Sequence, residues 1–247
     1  MKTKLLFSAV AMLAGSLLAD PTPGDVITNA ATALAAQPSY SWKSTVVVPE
    51  DSPFKPGPTA GKLEKDGYTD VSTSMRDNTI EFISKGTAAA VNTPDNGWQS
   101  LADVSGDQGP GRFLAGLVRN FKAPATQVLT LASGAGTLTQ EGEVISGDLT
   151  EAGAKAQLAF GGRRGGGAAP EIANAKGSVK FWVTGGALTK YEFKVSGTVT
   201  YNGNDRAIDR DTTVEITDVG STKVTVPDEA LKILAPKPAA AAAPAAN

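Results

Sequence analysis

The residue types that most often supply nucleophiles, general bases and soft metal ligands are missing: the 247 residues include no histidine and no cysteine. That removes His-based triads, thiolate nucleophiles, the usual zinc sites and haem ligation. Carboxylates remain. Asp205, Asp209 and Asp211 fall near one turn, where their oxygens could gather round calcium. Their spacing does not fit an EF-hand loop, and Arg206 and Arg210 intervene, so local ion pairing is the expectation. Arg163 and Arg164 stand in a glycine-rich run, residues 161–167, that could meet a phosphate or a carboxylate. No Lys-Ser/Thr follows and no strand leads in, so it lacks the context of a phosphate loop and reads as a solvated one. A carboxylate pair for hydrolysis forms only in space, and nothing in the sequence nominates one. The chain is read as a non-enzyme, with no metal and no cofactor.

What remains is apolar chemistry. Phe113, Leu117 and Phe121 recur at helical spacing and would either line a ligand cavity or fill a core. They need a surface to face, and the flanking segments supply one. Tyr40, Trp42, Val46 and Val48 fall on one side of a strand over residues 40–48. Ile80 and Phe82 share a face further on, within a meander of short strands over 61–91 whose turns are Lys65-Asp66-Gly67 and Arg76-Asp77-Asn78. Val179, Phe181 and Val183 alternate with Lys180, Trp182 and Thr184, and Tyr191, Phe193 and Val195 alternate with Glu192, Lys194 and Ser196. Period two with one apolar side means antiparallel strands, packed on one face and wet on the other. Trp182 is out of place among the wet residues, as a covered side chain or a contact surface would be.

Helical spacing marks three further stretches. Thr22, Pro23 and Asp25 form a start signal of capping-box type ahead of Val26, Ile27, Ala30 and Leu34. Residues 110–121 and 124–132 are expected as helices laid over the sheet, and residues 150–160 as a third, capped by Thr150. The prolines of 49–58 read as a connection, and residues 222–226 as a closing strand. Helix, strands, helices, strands, without βαβ alternation, argues for one antiparallel sheet rather than a parallel one. About ten twisted strands curl, so the expected class is α+β: a long curved antiparallel sheet, a half-barrel, with helices on its concave face.

The ends carry separate signals. Lys2 and Lys4, an apolar run over residues 5–14 and a small residue at Ala19 have the order of a cleavable signal peptide over 1–19. The apolar stretch is shorter than the ~20 residues a spanning helix needs. The 23 basic residues less Lys2 and Lys4 leave 21 against 25 acidic, a net charge of −4 for the mature chain. That balance gives no footprint for nucleic acid or an anionic membrane surface. Residues 20–234 read as one domain with no membrane span, and the Ala/Pro-rich 235–247 as a disordered tail. The expected location is the periplasm or outside the cell.

The order of elements resembles the LolA/LolB-like and LppX-like bacterial lipoprotein-carrier fold. The likeness rests on the first helix leading into Tyr40-Ser41-Trp42-Lys43-Ser44 and on Asp95-Asn96-Gly97-Trp98. It also rests on Lys190-Tyr191-Glu192-Phe193 and on residues 214–220 ahead of Val226-Pro227. The resemblance implies an apolar cavity between sheet and helical lid that takes acyl chains. Mapped onto this chain by alternation, Trp42, Val46, Phe82, Phe181 and Phe193 would line it, and Phe113 and Leu117 would close it. The expected function is a carrier or sensor of a lipid or lipoprotein acyl chain. Its partners would be a lipid, an acylated protein or another envelope protein. The LppX-like members are lipid-anchored through a cysteine that this chain lacks. The alternative is an envelope protein-interaction module with a filled core and no ligand.

Overall fold

The computed structural model describes residues 20–235 apart from 53–54, 76–77, 106–109, 160–170 and 202. Residues 1–19, expected to be a signal peptide, Arg163, Arg164 and residues 236–247, expected to be a tail, lie outside the described residues.

Helix α1 (Pro23–Ala36) starts where the sequence says it should. The Asp25 amide donates to Thr22 Oγ1 at 3.2 Å and the Thr22 amide to Asp25 Oδ2 at 3.0 Å, a closed capping box. The Thr22 hydroxyl, donating to Asp25 Oδ2 at 2.6 Å, and then the Thr22 amide hold the Asp25 carboxyl below its usual range. Six strands follow: β1 (Ser39–Val47), β2 (Pro56–Glu64), β3 (Thr69–Met75), β4 (Asn78–Lys85), β5 (Ala88–Thr93) and β6 (Gly97–Ser100). The chain then turns helical through α2 (Leu101–Val104), α3 (Pro110–Arg119) and α4 (Pro124–Gly134). A hairpin of β7 (Ala135–Glu141) and β8 (Val144–Leu149) precedes α5 (Glu151–Leu158), whose N-cap Thr150 accepts from the Gly153 amide at 3.0 Å. Three long strands, β9 (Glu171–Thr184), β10 (Ala187–Tyr201) and β11 (Asn204–Thr217), and then α6 (Asp228–Leu234) complete the described chain.

All eleven strands form one antiparallel sheet in the order β6-β5-β4-β3-β2-β1-β11-β10-β9-β8-β7. It is an α+β half-barrel. Each half is a meander, and the first and last strands join the halves: Trp42 pairs with Ile216 and Ser44 with Val214. Helices α1, α3, α4 and α5 contribute Ile27, Leu34, Leu114, Val128, Leu131, Ala154 and Leu158 to a core on the concave face, against Trp42, Phe82, Phe181, Tyr191 and Phe193. Among the described residues no helix is long and apolar enough to cross a membrane.

Three expectations are corrected. Strand β2 starts at Pro56, inside the stretch read as connection, and a register shift between Pro56 and Thr59 falls where Pro58 has no N–H to give. The β7–β8 hairpin interrupts what the sequence presents as a purely helical middle. Residues 222–226 form no strand. They belong to an extended strap on the convex face, where Gly220 N bonds to Ser39 O at 2.7 Å, Thr222 Oγ1 meets Ser41 Oγ at 2.8 Å and Val224 N reaches Glu64 Oε1 at 3.2 Å. The strap delivers α6 to that convex face, where Ala230 and Leu234 cover Ile83, Ala90 and Trp98.

Candidate functional site

Pairing register sets the site. A single row crosses the first half of the sheet on the concave side: Trp42 pairs with Gly61, Gly61 with Val71, Val71 with Phe82 and Phe82 with Val91. Gly61 is the one member without a side chain. The Trp42 indole lies over it, and a Cβ there would overlap the six-membered part of the ring. Trp42 is therefore laid down along the sheet and presents a flat face. Phe82, on β4, stands as a wall beyond Val71.

Phe121, just past the end of α3, occupies the corner between them. Its ring stacks on Trp42 with centroids 5.9 Å apart and planes 21° apart, and meets Phe82 edge-on at 5.4 Å and 71°. Both are preferred aromatic geometries. Phe121 itself is only partly buried, so this corner opens towards solvent.

The other expected residues fall into neighbouring rows of the same face. Val46 pairs with Thr212, Thr212 with Phe193 and Phe193 with Val179. Phe181 pairs with Tyr191, and Tyr191 with Val214. Trp42, Phe82, Phe181 and Phe193 are all buried in one cluster, while Val46 is half-buried. Leu117 is half-buried on α3, and Phe113 lies apart, with 46% of its surface exposed. The structure thus gathers the strand residues and leaves Phe113 facing water.

Two tyrosines absent from the expected set lie under α4 on this face. Tyr191, fully buried, donates from its hydroxyl to Gln127 Oε1 at 2.6 Å and holds the helix. Tyr40 is buried beside Trp42, with ring centroids 5.8 Å apart. Burial pushes the Tyr40 phenol up to about 12 and the Tyr191 phenol well above its ordinary value, so both stay protonated. Helices α1 and α5 come within 8 Å of β9 and β10 along their backbones, whereas α3 packs chiefly on α2 and reaches the sheet through side chains. Its one side-chain bond to another described element region runs from Arg119 to Ser105 Oγ at 3.0 Å.

The polar candidates resolve into surface chemistry. Lys194 lies 3.7 Å from Asp209 and 3.4 Å from Asp211, and Asp205 accepts from Thr200 Oγ1 at 2.6 Å. Arg210 turns to the concave side and donates to Gln157 O at the end of α5 at 2.6 Å. Among the described residues no group of three acidic side chains is placed to hold a metal ion. Trp182, on the convex face, carries the Lys190 ammonium 4.4 Å from its ring centroid. Hollows of about 290 and 330 Å³ also lie on the convex face, lined by Ser146, Asp148 and Lys180 and by Glu192, Lys194 and Asp211. Neither lies between sheet and helices.

No protein-family model and no curated protein matches the sequence. Among solved structures the chain is similar to the Mycobacterium tuberculosis lipoprotein LppX, at 14% identity over 85% of this chain and 100% of that one, with a TM-score of 0.47. It is also similar to LprF from Mycobacterium bovis, at 12% identity over 84% and 97%, with a TM-score of 0.46. The resemblance read from the sequence is to this same group.

Proposed function

We propose that this protein is an exported binder of lipid or protein-attached acyl chains, held on the concave face of the half-barrel between the sheet and α3. The observation that carries this reading is the corner made by Trp42 and Phe82. It is aromatic on two sides, it is partly open to solvent, and a loosely seated helix covers it. An acyl chain needs no polar partner in such a place: each methylene removed from water contributes ~0.8 kcal/mol. Trp42, Val46, Phe82, Phe181 and Phe193 form the apolar lining in this reading, with Leu117 and Phe113 above it. Residues 1–19 act as the export signal, cleaved near Ala19, and residues 20–234 work as one periplasmic or extracellular domain.

The second reading is an envelope interaction module with a filled core. It is favoured by Phe121, which takes up the corner a ligand would use. Native mass spectrometry of protein purified from a periplasmic extract separates the two. Co-purified lipid is the result expected of a carrier. Ligand-free protein that also fails to take up added fatty acid would leave the interaction module. N-terminal sequencing of the same material tests export, and a mature start at or near Asp20 is expected.

A further inference from the structure

We infer that the Phe121 ring is an internal stand-in for the ligand: it fills the first subsite of the acyl chain, between Trp42 and Phe82, and is displaced when the chain enters. This inference rests on the lipid-binding reading above and adds where the chain enters and what it replaces.

Three observations converge on this residue. Phe121 belongs neither to the sheet nor to the body of a helix: it follows α3 by two residues, its amide bonding to Val118 O at 3.3 Å. A side chain there can swing out without breaking a strand pair. Its contacts are of the kind a hydrocarbon chain reproduces, a flat indole face on one side and a phenyl on the other, with no hydrogen bond to lose. The element that carries it is the least firmly seated of the larger concave-face helices. Helix α4 is tied down by the Tyr191–Gln127 hydrogen bond and packs along α1, and α1 and α5 lie on the strands, whereas α3 rests on α2.

The exchange is of one apolar occupant for another. With Phe121 seated, the free protein exposes little aromatic surface. With it displaced, the chain covers Trp42 and the phenyl ring is free to lie against the chain from above. An occupant of this kind lowers apparent affinity, because the ligand must compete with a group present at high effective concentration.

Tryptophan placement supplies the readout. Trp98 and Trp182 lie on the convex side, so Trp42 is the concave-face tryptophan. The experiment titrates full-length mature protein, in a Trp98→Phe, Trp182→Phe background, with dansyl-labelled undecanoic acid. It follows energy transfer from Trp42 and records thermal melts in parallel. Phe121→Ala is expected to bind about tenfold tighter than the parent, with transfer retained, and Phe121→Leu to fall between. If a folded Phe121→Ala binds as the parent does, or more weakly, Phe121 is a wall and not an occupant; the inference fails while the lipid-binding reading stands. If neither the parent nor folded Phe121→Ala binds, both fail together. Should Phe121→Ala melt below the assay temperature, Phe121→Leu decides by the same comparison: tighter supports displacement, equal or weaker overturns it.

Discussion

The indole of Trp42 rests on the bare backbone of Gly61, its directly paired neighbour on β2, so the aromatic floor of the concave face exists only because that neighbour has no Cβ. Gly61→Ala is expected to lift the ring, disturb its stack with Phe121 and cost about 1–3 kcal/mol, the usual range for overpacking. The check is denaturant unfolding together with Trp42 emission in a background lacking Trp98 and Trp182. A red shift and a lower midpoint are expected.

The clamp on α4 makes a separable prediction. Tyr191→Phe leaves Gln127 Oε1 without its donor and is expected to cost about 1 kcal/mol. In a chain of this size that lowers Tm by about 2–4 °C. Amide exchange in residues 124–134 should rise in this variant before exchange in β9 and β10 does.

Phe113 offers a test free of the usual folding ambiguity. With 46% of its surface already in water, Phe113→Asp is expected to keep stability within about 0.5 kcal/mol of the parent. Several-fold weaker binding of a fluorescent fatty acid is the expected result if Phe113 covers the bound chain. Unchanged binding removes it from the site.

Asp70 gives the pH dependence. It sits on the convex face of β3, paired with Lys62 and Ile83, with Oδ1 buried and without a hydrogen-bond partner. Burial first, and the Glu81 carboxylate second, raise it from 3.8 to about 6. Between those values the folded state holds the proton more firmly than the unfolded one, so stability falls as pH rises through the window and levels off above it. Asp70→Asn is expected to flatten that slope and to melt no lower than the parent at neutral pH, as read by thermal melts from pH 4 to 7.

The sequence was readable wherever a local rule decides the outcome. Thr22 and Asp25 cap α1 as their spacing requires, and the alternation in β9 and β10 puts Phe181 and Phe193 on one face and Lys180 and Lys194 on the other. It was opaque where position depends on something distant. Strand β7 is short and largely exposed, so it has little apolar pattern to show. The Thr/Val alternation of residues 222–226 reads as a strand, yet what that segment found was a carboxylate on β2 rather than a ladder. In the site, alternation places Trp42 and Phe82 on a face. Helical spacing gives Phe121 a direction and nothing more, and its meeting with two rings from far earlier in the chain is a product of register across four strands. Phe113 lies on the same apolar stripe as Leu114 and Val118, but the stripe is wider than the strip that is covered.

The strand order has a mechanical consequence. Strands β6 and β7 are the two outermost strands of the sheet, and the chain running directly between them is the α2–α3–α4 segment. The stretch that carries Phe121 is thus the direct covalent link from one rim of the half-barrel to the other, so a shift of α3 is passed through the backbone towards both edges of the sheet.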